Sequence, residues 1–259
     1  MIPNRIPSSA VRGFIFIMAV AVWGAAQTWD EPIQTDRPGM ANPPSVVPAG
    51  RFQLESGLES YTVGGTVMRN LPTLLFRTGI QKDVEFRLGL AWQDLRDDGP
   101  PENRISGIAP AFIGIKWRLM DQRGFLPNAA VAVNLGLPGT GNSRFRTPHL
   151  APAITLECDQ DLSRAWNLNY NLGWSRAGDT LEDSAFWAVA FNLQASRALS
   201  LFIEPYGSIP RHGASITGVD GGAAFLLSPS AQVDVSAGVA GGPDRPNRFI
   251  AFGFSFVVR

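Results

Sequence analysis

The sequence predicts an all-β fold, a closed antiparallel transmembrane β-barrel of about twelve strands. Three observations predict it. Apolar residues recur at every second position in most of the chain after residue 51, the alternating segments are long, and a secretory signal precedes them. Side chains alternate between the two faces of a strand, so this period predicts strands with one apolar and one polar face.

The alternation is clear in residues 84–93, where the even positions are apolar and the odd positions are charged, polar or small. Residues 166–175 and 250–258 repeat the pattern, with Trp, Leu, Tyr or Phe on one row and Asn, Ser, Ala or Gly on the other. An amphipathic helix would instead repeat its apolar residues at intervals of three and four. These segments are therefore predicted to be strands.

Twelve such segments follow one another along the chain. A tilted strand needs about 9 to 11 residues to cross a bilayer, whereas strands of soluble proteins average about 5 to 6. The segments are of membrane-spanning length, and single-chain outer-membrane barrels have even strand numbers. They are residues 51–63, 66–79, 83–94, 107–119, 127–137, 149–159, 164–175, 185–195, 199–207, 215–227, 230–240 and 248–258.

The connections between these segments alternate between short turns and longer polar loops. Outer-membrane barrels have short periplasmic turns and longer outside loops. This assignment places both termini in the periplasm. One connection, at Gly64 and Gly65, is a tight turn on the side where a long loop is expected.

The N-terminus has the three parts of a secretory signal. Arg5 and Arg12 form a basic region, residues 13–22 are apolar, and Gly24 begins a run of small residues. We predict a cleaved signal peptide over residues 1–26. The apolar run is shorter than the roughly 20 residues that a transmembrane helix needs, although an uncleaved anchor is the alternative. The predicted barrel then covers residues 51–259, and residues 27–50 form a periplasmic or lumenal N-terminal segment.

Composition argues against several classes of function. The chain carries 22 basic and 22 acidic residues, so it lacks the basic excess that binding to nucleic acid requires. His149 and His212 both fall in predicted loops, and no G-x-S-x-G motif or metal-ligand spacing occurs. We therefore predict no enzyme activity, no catalytic residue, no metal site and no cofactor. The single Cys158 is interpreted as a small buried apolar side chain.

Charged residues occupy the rows predicted to face the lumen. Such charges either pair into a network that permits burial or act as a filter that selects what passes. Arg77, Glu85 and Arg87 lie on neighbouring strands and are the expected cluster. The predicted lumen-lining residues are Arg77, Glu85, Arg87, Lys116, Arg118, Glu204, Asp220 and Asp234, and the same rows carry Glu55, Glu59 and Glu157.

Residues 27–50 precede the first strand and are rich in proline. One hypothesis is that they fold into the lumen as a plug, with Asp36 and Arg37 paired with lumenal charges. The alternative is a tail that rests on the periplasmic rim of the barrel.

Three stretches in the first third of the chain carry a family resemblance. The stretch Gln34–Pro38 is followed by Pro48–Gly57, and then by Leu71–Ile80. This arrangement resembles the start of the "MetA-pathway of phenol degradation" family of outer-membrane transporters. The resemblance implies uptake of aromatic or otherwise hydrophobic compounds. The chain departs from the family at Gly39, where an acidic residue is expected.

The sequence thus predicts a channel or transporter in the bacterial outer membrane for passive passage of small molecules, hydrophobic or aromatic ones among them. Its expected partners are the lipid bilayer, a small-molecule solute and the outer-membrane insertion machinery. One alternative is a non-conducting barrel that serves as a scaffold or adhesion module. Another is a secreted soluble β-sandwich binding module, in which the apolar rows would pack against one another.

Overall fold

The computed structural model describes residues 32–97, 104–241 and 247–258. The predicted signal peptide, residues 1–26, lies outside the described residues. Within the described ranges no helix is long and apolar enough to cross a membrane. The strands are β1 (Phe52–Val63), β2 (Thr66–Gln81), β3 (Val84–Asp97), β4 (Arg104–Ile108), β5 (Phe112–Met120), β6 (Asn128–Gly136), β7 (Ala151–Asp161), β8 (Trp166–Arg176), β9 (Asp183–Gln194), β10 (Leu199–Pro210), β11 (Ile216–Ser228), β12 (Ala231–Ala240) and β13 (Asn247–Val258).

The strands close into one antiparallel barrel. Apart from β4 and β5, consecutive strands pair with one another, and β1 pairs with β13 from Phe52 opposite Val258 to Thr62 opposite Arg248. β4 and β5 both pair with β3, one above the other, and together make the fourth wall strand. The barrel therefore has twelve wall strands, which confirms the predicted fold. Closure between β1 and β13 removes the two free edges that an open sheet would expose to hydrocarbon.

The fourth wall strand is interrupted, whereas the sequence predicts one continuous segment over residues 107–119. Gly89 of β3 pairs with Phe112, and Trp92 pairs with Ile108, so the fourth wall strand carries one extra residue at this level. Pro110 lies in the gap and has no backbone N–H to donate to the ladder. The prediction of an unbroken strand was wrong because this proline forms a bulge.

The apolar rows face outward and the charged rows face the lumen. Leu172 is 62% exposed and Ile203 57% exposed on the outer surface, whereas Glu85, Glu157 and Glu204 are 0% exposed inside. A soluble sandwich would bury the apolar rows against one another. Apolar rows outside and charged rows inside are the arrangement expected when hydrocarbon surrounds the barrel.

Short and long connections lie at opposite ends of the barrel. The connections at residues 82–83, 162–165, 195–198 and 229–230 form the short-turn end, and residues 137–150 and 177–182 belong to the long-loop end. Ser163 and Ser196 stabilise two of the short turns. The Ser163 hydroxyl accepts hydrogen bonds from the backbone N–H groups of residues 165 and 166, and the Ser196 hydroxyl accepts them from residues 198 and 199. β1 begins and β13 ends at the short-turn end, which is the end predicted to face the periplasm.

Introducing a charge on the outer face tests its exposure to lipid. Leu172 lies near the middle of β8, so we expect Leu172→Arg to lower the free energy of unfolding in lipid vesicles by about 2–4 kcal/mol. Leu162 is similarly exposed but lies in a short turn, and Leu162→Arg should cost at most about 1 kcal/mol. Chemical denaturation measures both losses. Equal losses would contradict the lipid contact of Leu172.

Candidate functional site in the barrel lumen

Residues 32–50, here called the lumenal segment, enter the barrel from the short-turn end. Ile33 donates its backbone N–H to Pro229 O (2.7 Å), in a short turn on one side of the barrel. At its other end the segment joins the wall, where Gly50 donates to Gly79 O (3.1 Å) and Arg51 donates to Pro48 O (3.1 Å). Between these points the segment forms no ladder with a strand apart from a bridge of Ala49 to Gly79, so its polar backbone needs other partners.

Lumenal carboxylates accept hydrogen bonds from the segment's backbone N–H groups. Asp36 N donates to both carboxylate oxygens of Glu55 (3.0 and 3.2 Å). Val47 N donates to Glu85 Oε2 (2.7 Å). Hydrogen bonds to ionised acceptors are stronger than neutral ones, so these carboxylates anchor the segment at well-separated points.

Basic and amide side chains of the wall donate to the segment's backbone carbonyls. Arg77 donates to Gln34 O (3.2 Å) and Ser45 O (3.1 Å), and Lys116 donates to Pro43 O (2.9 Å). On the opposite side of the barrel Asn169 Nδ2 donates to Ala41 O at 3.3 Å. The wall thus holds the segment from several directions, which fixes its path across the lumen.

The Asp36 carboxylate lies at the centre of a buried charge cluster. Its Oδ1 is 3.2 Å from Arg77 Nη1 and 2.9 Å from Lys116 Nζ, and its Oδ2 contacts Arg87 Nη2. Arg77 also pairs with Glu55 (2.8 Å) and Glu85 (2.9 Å). Because removal of one partner leaves an uncompensated buried charge, the cluster and the segment stabilise one another.

Arg37 points away from Asp36 and bridges two strands. Its Nη1 is 2.8 Å from Glu59 Oε1, and its Nε is 3.3 Å from Asp234 Oδ1. Gly57 and Gly253 flank the guanidinium, and a Cβ at either position would lie within 2.4 Å of it. A larger residue at either glycine would displace Arg37 from its two carboxylates.

The structure brings together most of the predicted lumenal residues. Around Asp36 lie Arg77, Glu85, Arg87 and Lys116, and Asp234 contacts Arg37. Glu204 and Asp220 lie on neighbouring strands on another side, where Glu204 accepts from Met40 N (2.6 Å) and Ala41 N (2.5 Å).

Arg118 lies apart from this network although it was predicted to line the lumen with the others. It is at the short-turn rim, 31% exposed, and pairs with Asp83 (2.6 Å) and Asp121 (3.3 Å). The alternation places Arg118 on the lumenal face of β5, but Arg118 lies near the end of that strand, where its side chain is partly exposed to water.

Sequence reasoning missed Asn42 and Asn169 as contact residues. Asn42 Nδ2 lies 3.4 Å from Glu157 Oε1, and Asn169 binds the backbone of the lumenal segment. The signal for Asn169 was its place on the polar row of residues 166–175. No periodicity marks Asn42, because the lumenal segment follows no regular structure.

A cavity of about 340 Å³ lies on the long-loop side of the lumenal segment. The segment forms its floor with Arg37, Met40 and Asn42, next to Glu59 and Arg87. The other walls include the apolar side chains of Leu75, Ala91, Phe112 and Phe249, which lie on rows that face the lumen. An apolar cavity with a few polar groups at one end is typical of a site for a small amphipathic molecule.

The two histidines lie in the long loops, as predicted. His212 contacts Glu182 of the neighbouring loop, with Nδ1 2.9 Å from Oε2, and this hydrogen bond lowers the pKa of Glu182. No group of three or more His, Cys, Asp or Glu side chains in the described ranges is arranged to hold a metal ion.

The family model of the MetA-pathway of phenol degradation matches residues 35–258. The chain belongs to this family. A search of curated proteins finds no match. The matched range begins within the lumenal segment and ends in the last strand, so it includes both the barrel and the segment inside it.

Solved outer-membrane barrels share the fold. The COG4313 outer membrane channel from Pseudomonas putida F1 is 12% identical with a TM-score of 0.62, over 86% of this chain and 99% of that one. The β domain of the Bordetella autotransporter BrkA is 11% identical (TM-score 0.56, 80% and 99% covered), and the NanC porin 9% identical (TM-score 0.52, 78% and 98% covered). The protein is therefore a β-barrel of the bacterial outer membrane.

Removing the Asp36 carboxylate tests whether the charge cluster holds the lumenal segment. Breaking a buried ion pair costs about 3–5 kcal/mol, so Asp36→Ala should raise the exposed population of the segment on the order of 100-fold. A cysteine introduced by Ser45→Cys reports this as a faster reaction with a polar maleimide.

The matched control for this experiment is Arg118→Ala in the same Ser45→Cys background. Its ion pairs lie at the rim and contribute about 0–1 kcal/mol, so labelling should change less than about fivefold. If both variants label alike, the cluster does not hold the segment.

Proposed function

We propose that this protein is a passive outer-membrane channel for small molecules, hydrophobic or aromatic ones among them, and that the lumenal segment is its plug. The observation that carries the proposal is the path of residues 32–50 across the lumen, held by side chains from eight wall strands. A barrel of this size is intermediate between side-chain-filled eight-stranded barrels and open sixteen-stranded porins. A single extended segment is therefore enough to obstruct it.

The kind of contact that holds the plug supports its release from the barrel wall. Its contacts run between side chains and backbone, and they include no extended ladder with a wall strand. The contacts are also largely charge-assisted, so their strength depends on water and on the charge state of the lumen. Release of the segment would open the lumen and leave the wall hydrogen bonds intact.

The cavity on the long-loop side of the plug supports a small solute that has both an apolar and a polar part. Its volume of about 340 Å³ falls within the usual range for small-molecule sites. The apolar walls favour a hydrophobic body, and the charged floor favours a polar substituent directed at the plug. The P. putida relative is described as an outer membrane channel, which agrees with this role. Passage of this kind requires no catalysis.

A non-conducting scaffold is the second candidate, because the same buried ion pairs would also suit a permanently filled barrel. Liposome swelling with a series of phenols and sugars separates the two candidates. A channel admits phenols and small sugars at measurable rates, and a scaffold admits neither. Insertion by the outer-membrane assembly machinery is expected in both cases.

Deletion of residues 27–46 tests the plug directly. Because the deletion removes the material that fills the lumen, we expect a severalfold rise in single-channel conductance in planar bilayers. Arg104→Ala, at the long-loop rim, is the control and should leave the conductance unchanged. Heat-modifiable migration on gels verifies that each barrel is folded. An unchanged conductance in the deletion variant would contradict the plug.

Arg87→Ala tests whether the charge cluster lines the conducting path. The substitution removes a buried positive charge, so the lumen becomes more negative and its preference for cations should increase. The reversal potential in a salt gradient measures this preference. Arg104→Ala, which removes a half-exposed positive charge at the rim, should produce a smaller shift. Identical reversal potentials for wild type and Arg87→Ala would exclude Arg87 from the path.

A further inference from the structure

Two carboxyl groups lie side by side on β10 and β11. Glu204 and Asp220 are partners in the antiparallel register, and both face the lumen. Glu204 is 0% and Asp220 4% exposed. Among the described residues, neither forms an ion pair with a basic side chain. Like charges directly opposite one another destabilise a sheet.

The hydrogen bonds of the two carboxyls are very unequal. Both oxygens of Glu204 accept a backbone N–H of the lumenal segment, from Met40 (2.6 Å) and Ala41 (2.5 Å). Both oxygens of Asp220 are buried and lack a donor in the described structure. An ionised Asp220 would therefore be a buried charge beside a second one with nothing to compensate it, which is a costly arrangement.

The elements around the pair supply no compensating charge. β9 contributes the buried Ala188 and Ala190, and β10 itself contributes the hydroxyl of Tyr206. On β12 the nearest charged group is Asp234, which is already paired with Arg37 of the lumenal segment. The basic groups of the neighbouring elements are engaged or directed elsewhere: Arg37 is paired with Asp234 and Glu59, and Arg248 of β13 lies opposite Val239 on the exposed outer row.

A bound cation does not fit this site as well as a proton. The Glu204 oxygens are both occupied by N–H donors, and the Asp220 oxygens are closed to solvent. β12 lies close against Asp220, because a Cβ at Gly238 would be 2.5 Å from the Asp220 Cβ. Hydrated cations need several oxygen ligands and room for them, whereas a proton shared between two adjacent carboxyls needs neither.

We propose that Glu204 and Asp220 share one proton and that this proton keeps the Met40–Ala41 part of the lumenal segment seated against β10. With the proton, the pair carries one negative charge, which the two N–H donors stabilise. Without it, two buried charges repel one another, and the repulsion is relieved when the segment moves away and water enters. The consequence for conduction rests on the proposed channel function, but the shared proton does not.

The direction of the pH dependence follows from proton counting. The seated state binds one more proton than the released state, in which both carboxyls are hydrated and ionised near neutral pH. The seated state is therefore favoured at low pH and lost as the pH rises. Once the pair titrates, the ratio of released to seated protein increases by up to about tenfold per pH unit.

Infrared difference spectroscopy detects the proton without reference to transport. A spectrum of wild-type protein in vesicles at neutral minus alkaline pH should contain the C=O stretching band of a protonated carboxylic acid. Asp220→Asn should abolish the band, and Glu59→Gln, which alters a lumenal carboxylate paired with Arg37, should retain it. A wild-type spectrum without the band, or one unchanged in Asp220→Asn, would overturn the shared proton.

Cysteine labelling detects release of the segment. Met40→Cys is compared with Met40→Cys combined with Asp220→Asn at each pH, so that the intrinsic reactivity of the thiol cancels in the ratio. The uncharged amide that Asp220→Asn introduces donates to Glu204 and imitates the protonated pair, so the ratio of labelling rates should rise with pH. A ratio that stays flat would show that the proton does not hold the segment.

Single-channel conductance separates failure of this inference from failure of the channel function. We expect the wild-type conductance to rise with pH and the Asp220→Asn conductance to stay low. If the labelling ratio rises while the conductance of both proteins stays constant, the shared proton holds and the proposed channel function is wrong. If conductance rises equally in both, the channel function holds and the inference is wrong.

Discussion

The polar interior of a closed barrel is the constraint on which the other features depend. Hydrocarbon outside requires that every backbone group pair within the wall and that the apolar rows face outward. The alternate rows then bring charged side chains into a narrow lumen, where each needs a partner. The lumenal segment supplies many of these partners through Asp36, Arg37 and its own backbone. The buried charges of the barrel wall are therefore paired in large part by the lumenal segment, and those of the segment by the wall.

The fold could be predicted because the two faces of each strand lie in different solvents. Alternation between lipid and lumen imposes a period of two that the sequence carries openly, so the bounds of β1 and β13 were predicted within a residue. The interruption at Pro110 was missed because apolar residues flank the proline on both sides and the apolar character of the segment continues through it. Loss of one backbone donor leaves no trace in the hydrophobic pattern.

The candidate site could be predicted only in part. Alternation assigns Arg77, Glu85 and Lys116 to the inner face, but which of them meet depends on the register between strands, which the pattern does not specify. Residues 32–50 have no period at all. Contacts such as Val47 N with Glu85 use backbone atoms, and any residue other than proline could supply that donor. Sequence therefore indicates the lumenal charges but not the path of the chain that binds them.

The charges of the lumen are unevenly distributed around its wall. The basic side chains Arg77, Arg87 and Lys116 lie on β2, β3 and β5, around Asp36, and Arg37 reaches toward β1 and β12. β10 and β11 contribute only carboxyls to the interior charge. The side of the lumen that lacks cations is also where Glu204 binds the segment through N–H groups alone. A protein that needed only a rigid filler would gain from an arginine there, as on the opposite wall. With no arginine there, the proposed shared proton makes the seating of that side of the segment depend on the ionisation of Glu204 and Asp220.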